Sequence, residues 1–343
     1  MKKLQFIGII LLLTVLVSSD IINIPDDHTT IQAGIDEAVT GDTVLVQPGT
    51  YYENIDLSWK VITLASLYYT TQDTNYILQT IIDGNQNGRV VRYVCEEESP
   101  TVLAGFTIIN GYDTFAGGIN CYNGNMIISG LRIVNNSIYG NSGKGAGIFF
   151  LNSESYLENV IISNNTIVDD GGSGGGLFIE NSDITMNNVS LSNNHAYIGG
   201  GLKSINSTLI IDAISVYDNS ATHGGGLNCS HSTLEMNDVV ISGNQASFTG
   251  GGLYSYSSVF NLNNVQFVHN SSEDFGGAMT LNSSELFLAD VVVSHNEATD
   301  LGGGFYLIEN TELYFDAENR SSVYQNHRSE ERRVGKECRS RWS

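Results

Sequence analysis

Removing a proton from a carbon beside a carboxylate calls on a basic side chain held close to it. Between Tyr93 and Asn319 this chain offers only Arg132, Lys144 and Lys203, histidines aside. Strand alternation points Lys203 outward after Gly201 and Arg132 outward before Asn135, in columns that are not adjacent, so both read as solubilising surface residues. Hydrolysis of a glycosidic bond needs two carboxylates facing each other roughly 5 to 10 Å apart. The acidic groups Asp169-Asp170, Glu273-Asp274 and Asp300 fall in loops on one side and read as solvated loop charge, with no Gly-His-Gly beside them. His223, before Gly224, stands alone. Those loop carboxylates are a conceivable place for calcium or a sugar, but nothing in the spacing supports it, and the expectation is no cofactor, no metal site and no catalytic residue that can be named.

Aromatic side chains make the stronger binding feature. Phe149, Phe178, Tyr254 and Tyr306 share one outward column, with Tyr122 and Tyr256 two residues further along their coils. Exposed rings on a flat sheet can stack on the faces of sugars; the competing account is that aromatics favour strands and shield the sheet. Lys203 and Asn228 interrupt the column. Cys121 and Cys229 fall in one inward column four coils apart, roughly 19 Å at the strand spacing. That is beyond the ~7 Å reach of a disulfide, so they read as small core residues. Cys95 has no clear partner, and no Cys-x-x-Cys spacing occurs.

What must position these residues is a repeat. Small-residue blocks recur every 25 to 29 residues, beginning at Gly117, Gly145, Gly174, Gly199, Gly224, Gly250, Gly276 and Gly302. Eighteen residues after the last small residue of seven of the blocks stands an asparagine: Asn136, Asn165, Asn194, Asn219, Asn244, Asn270 and Asn296. Twelve residues before the later six lie Ser153, Ser182, Ser207, Ser232, Ser258 and Ser284. Because that spacing never changes, all length variation falls between each Asn and the next glycine block, so one side of each coil carries the loops. Within the constant part apolar residues alternate with polar ones, as in Leu227 and Cys229, Leu234 and Met236, Val239 and Ile241. Six inward positions in three short strands cannot bury themselves alone, so coils must stack, each strand pairing in parallel with its equivalent. Stacked asparagines can hydrogen-bond from coil to coil. The period is too short for a propeller blade and lacks a helical face.

Composition agrees: 37 Gly against 3 Pro and a charged fraction of 15% favour turns and short strands. A net charge of −22 argues against nucleic acid as a partner. At the N-terminus Lys2 and Lys3 precede an apolar run from Leu4 to Val17 and then Ser18 and Ser19, the pattern of a signal peptide over residues 1–19. The run is shorter than the ~18 residues a membrane span needs, so no transmembrane segment is expected in the mature chain. Residues 328–343 hold six of the chain's 15 basic residues and break the repeat. They resemble translated vector sequence, including Cys338, which leaves residues 20–327 as one domain.

The stretch Ile24-Pro25-Asp26-Asp27-His28-Thr29-Thr30-Ile31 through Gly49-Thr50-Tyr51-Tyr52-Glu53-Asn54 resembles the opening of pectate-lyase-like parallel β-helix proteins. There Ile31, Ile35 and Ala38 would form one face of a capping helix at about 30–39, Val44 to Val46 would begin the first coil and Pro48-Gly49 would turn it. The Gly-Gly-Gly-Leu coils, at about 106–326, are similar to the repeats of polymorphic outer-membrane proteins. The resemblance implies an all-β right-handed parallel β-helix of three-stranded coils, about 25 residues each, in a secreted or cell-surface protein. It does not imply an activity, since members include lyases, hydrolases, esterases and adhesins. The reading that follows is a non-catalytic display of glycan-binding or partner-binding surface, with a polysaccharide lyase or glycoside hydrolase as the alternative.

Overall fold

The computed structural model describes residues 19–97 and 99–328. The expected leader, apart from Ser19, and the tail from residue 329 onward, Cys338 included, lie outside the described residues. Over the described residues the chain forms an all-β, right-handed parallel β-helix, with three helices short of eight residues each, all before residue 80. Its strands stack into a 19-stranded sheet, a ten-stranded sheet and two smaller ones of five and three strands.

The solenoid begins earlier than the sequence suggests. Ile21–Ile24 pairs in parallel with Thr43–Val46, so the first strand precedes the capping helix. That helix, α1, spans Ile31–Glu37 and closes the end of the core with Ile31 and Ile35, while Ala38 is buried just beyond it. Gly34 lets it approach: a Cβ there would come within 2.9 Å of Ile24 Cδ1. Thr30 Oγ1 accepts from Ala33 N–H, and the Glu53 carboxylate accepts from Ile31 N–H (2.9 Å) and Gln32 N–H (3.0 Å). These bonds satisfy donors that a helix start otherwise leaves open. Glu53→Ala is expected to cost about 1 kcal/mol, as other lost caps do, read as a lower urea midpoint; an unchanged midpoint would mean that water replaces the carboxylate at no cost.

Each regular coil contributes one strand to the ten-stranded sheet, then one long strand or two short ones to the 19-stranded sheet. In the coil after Gly226 these are Leu227–Ser230 and Thr233–Ser242. The second and third strands inferred from sequence are thus a single run here, bent at Asp238, whose φ of 54° lies in the left-handed region. Asn and Asp tolerate that conformation, and Asn159, Asn188 and Asn264 take it at the equivalent bend. A further short strand, unforeseen in the three-stranded coil, follows the repeated Asn, as at Gln245–Thr249. It buries one small or apolar residue per coil, including Ile138, Ile167, Ala196, Ala221 and Ala246.

Two polar ladders run through the regular coils. Each asparagine amide from Asn136 to Asn296 donates to the side-chain carbonyl of the next, at 2.9 to 3.1 Å, ending on Asn326. Each serine hydroxyl from Ser182 to Ser284 accepts the backbone N–H of its counterpart one coil earlier, at 3.0 to 3.3 Å. The glycine blocks leave room where the short strand presses close: a Cβ on Gly225 would lie 2.3 Å from the Gln245 carbonyl oxygen. Inside, Leu227, Cys229, Leu234, Met236, Val239 and Ile241 are all buried. Cys95, Cys121 and Cys229 are free and buried, and burial pushes the thiols of Cys121 and Cys229 up to about 12, so they stay protonated and unreactive near neutral pH.

Candidate functional site

The outward face of the ten-stranded sheet carries the densest chemistry. Its parallel register aligns Asn120, Phe149, Phe178, Lys203, Asn228, Tyr254, Thr280 and Tyr306 in one column. The neighbouring column holds Tyr122, Leu151, Glu180, Ile205, Ser230, Tyr256 and Asn282. The sequence columns are therefore real neighbours, but exposure within them differs sharply.

Phe149 and Phe178 are not exposed rings. They point away from the central core as alternation requires, yet are buried in a small second cluster with Ala116, against Phe115, Leu151 and Ile205. Phe115 meets Phe149 edge-on at 4.4 Å, and Phe149 stacks with Phe178 at 5.5 Å. The loop before Gly117 has folded over this end of the face, which removes both rings from any surface role. Tyr254 and Tyr306 are half-buried, and Tyr122 and Tyr256 are exposed.

Lys203 is likewise no surface residue. Only 7% of it is exposed, and its Nζ donates to Asn228 Oδ1 (2.7 Å) and Ser230 Oγ (2.8 Å). Burial pushes its pKa down to about 8, against the pull of the Glu180 carboxylate, which favours the charged form. Glu180 is held by Lys144 at 2.7 Å, and Lys144 Nζ lies 4.7 Å from the centre of the Phe178 ring. Two ammonium groups and one carboxylate thus share this face. Arg132 also departs from the surface reading: it is half-buried on the 19-stranded sheet, and its Nε is inaccessible.

His223 does not stand alone. Its ring lies 5.7 Å from Tyr197, 5.2 Å from Phe248 and 6.1 Å from Tyr254, all edge-on, and its burial among them lowers its pKa. The row continues from Phe248 to Phe275 (5.7 Å) and from Phe275 to Tyr306, stacked at 4.9 Å. Rings from successive coils therefore run along the solenoid beside Lys203. Sequence reasoning passed over Tyr197, Phe248 and Phe275, although the signal was present: each sits one or two residues before a glycine block, as does His223.

The loops carrying the carboxylates are held by bonds to neighbouring coils. Asp169 accepts from the Gly140 N–H, and the Asp274 backbone carbonyl accepts from the N–H groups of Asp300 and Leu301, so these loops are tied to neighbouring coils. Among the described residues, no three His, Cys, Asp or Glu side chains converge to hold a metal ion. No helix among them is long and apolar enough to cross a membrane.

Its stacked coils, capped start and asparagine ladder make the described chain a parallel β-helix. Among solved structures it is similar to the A-module of a mannuronan C-5 epimerase from Azotobacter vinelandii, at 15% identity and a TM-score of 0.38, covering 86% of this chain and 93% of that one. An alginate lyase from Paenibacillus matches at 12% identity and a TM-score of 0.25, covering 87% of this chain and 98% of that one. An endo-xylogalacturonan hydrolase from Aspergillus tubingensis matches at 14% and 0.27, covering 88% and 95%. No protein-family model matches the sequence, and no curated protein matches it.

Proposed function

We propose that this chain is an exported or cell-surface β-helix protein that engages a polysaccharide along the ring row, which passes from His223 and Phe248 on the five-stranded sheet to Tyr306 on the ten-stranded sheet. The observation that carries the reading is the continuity of Tyr197, His223, Phe248, Phe275 and Tyr306, each within 6 Å of the next. Rings in axial file suit an extended ligand lying along the solenoid, because each supplies an apolar face and excludes water around it. Phe248 is 41% exposed and is the most accessible of the row. On a glycan array the full chain is expected to retain a subset of polysaccharides, and Phe248→Ala combined with Tyr306→Ala to weaken retention by about tenfold, the scale of a lost aromatic anchor. Unchanged retention in the double variant would move the binding face elsewhere.

A second reading, turnover of the polysaccharide by a lyase or glycosidase, has one observation in its favour. Lys203 is a buried amine with a pKa near 8, beside Glu180 and a few residues from the ring row, the kind of perturbed group that proton-transfer sites use. Product analysis on each retained polysaccharide separates the two. Unsaturated or new reducing ends that disappear in Lys203→Met support catalysis, whereas retention without any product leaves binding alone.

A further inference from the structure

The 19-stranded sheet carries a separate hollow, away from the ring row. Between Thr63–Ser66 and Thr80–Asp83 the coil is interrupted by α2 (Tyr68–Thr71) and α3 (Asn75–Gln79), which stand as a wall over the sheet. The wall seats on a shelf made by two glycines. Gly105 and Gly130 occupy the bend that Asn159 and Asn188 occupy one and two coils later, and Tyr68 lies across them. A Cβ on Gly130 would come within 2.2 Å of the Tyr68 ring. Beyond Tyr68 the wall and the sheet enclose a groove of about 610 Å³.

Arg132 lines that groove. Arg89, Arg92 and Lys144 each have a carboxylate partner. The Arg132 guanidinium has neither a hydrogen-bond nor an ion-pair partner among the described residues, and its Nε is inaccessible. A buried N–H donor without a partner is costly, and proteins normally pair such a group. The rest of the lining holds no acid: Ile77, Leu78, Leu131 and Ile161 are apolar, with Leu78 50% and Ile161 41% exposed, and Gln72 and Asn188 supply neutral polar groups. In a chain of net charge −22, an unpaired Arg in a partly apolar groove is a place kept for an anion from outside.

We infer that this groove binds a carboxylate, clamped by the Arg132 guanidinium, with the body of the ligand against Leu78 and Ile161. The planar fork of Arg matches a carboxylate's two oxygens. This inference is independent of the ring row and of any turnover there. A carboxylate can arrive on an acidic sugar or on an aliphatic acid, so calorimetric titrations of the full chain with trigalacturonate and with octanoate distinguish the sources, with maltotriose and octanol as neutral counterparts. One acid is expected to bind while its neutral counterpart does not, and Arg132→Gln to weaken binding by roughly ten- to a hundredfold, the effect of losing a charge-assisted bond. Leu78→Trp, on the exposed wall where folding is not at stake, is expected to fill the groove and abolish binding even if Arg132→Gln does not fold. Phe248→Ala is expected to leave it intact. Failure of both acids to bind, or binding that survives both groove variants, overturns the inference.

Discussion

Asn194→Leu is expected to lower the unfolding free energy by about 3 to 5 kcal/mol, from the count of buried polar groups it strands. Asn194 Oδ1 accepts from the backbone N–H of Asn165 (3.0 Å) and from its amide (3.1 Å). Its own amide donates to the Ile162 carbonyl and to Asn219 Oδ1, both at 3.0 Å. Leucine fills the space but offers none of these bonds, and every partner left behind is closed to water, Ile162, Asn165 and Asn219 being fully buried. A comparable truncation on the exposed face, Glu235→Ala, is expected to stay within about 0.5 kcal/mol of the parent. Because each coil touches only its neighbours, the lesion is also local. Hydrogen exchange should quicken around Asn165 to Asn219 while protection near Asn270 persists. A loss below about 1 kcal/mol in urea unfolding would mean that the ladder is a consequence of stacking and not a support for it.

The ladder was legible in the sequence for the same reason that it is costly to break. A buried side chain that bonds to its own copy in the next coil constrains the spacing, so the 18-residue interval from glycine block to Asn shows through seven successive coils and lengthens only at the last, where Asn326 still joins the ladder. The serines follow the same logic. The ring row lies where that constraint ends. Tyr197, His223, Phe248 and Phe275 come from the segment of variable length, and align only when counted backward from the next glycine block. The short strand after each Asn was missed because it buries a single small residue, such as Ala221 or Ala246, too few to show alternation. Phe149 and Phe178 illustrate a different limit: period-two alternation gives the direction of a side chain but not what folds over it, and here Phe115 does. Arg132 adds the same lesson from the other sheet, since Tyr68–Gln79 breaks the repeat and nothing in a periodic reading says where an interruption will lie.

Lys203 gives the last test, and its sign follows from its surroundings. Alternation pointed it outward, yet Asn228 and Ser230 on the next strand draw its ammonium down onto the sheet and leave it nearly as dry as the core. Burial lowers its pKa from 10.5 to about 8. The folded chain therefore prefers the neutral amine. Above about pH 10.5 the amine is neutral in both states and its burial carries no charge penalty. Between about 10.5 and 8 the unfolded chain takes up a proton that the folded chain refuses, so stability falls as pH falls; below about 8 both are protonated and the penalty is constant. The wild-type unfolding free energy minus that of Lys203→Met should accordingly rise by about 3 kcal/mol from pH 8 to 10.5, at about 1.4 kcal/mol per unit of pKa shift. Taking the difference cancels the titration of the tyrosines and of the other lysine amines. A flat difference would mean that Lys203 keeps an ordinary pKa, which would remove the one observation favouring turnover and leave the ring row as a binding surface. A rising one would place a partly unprotonated amine beside Glu180 near neutral pH, the condition that proton abstraction from a bound sugar requires.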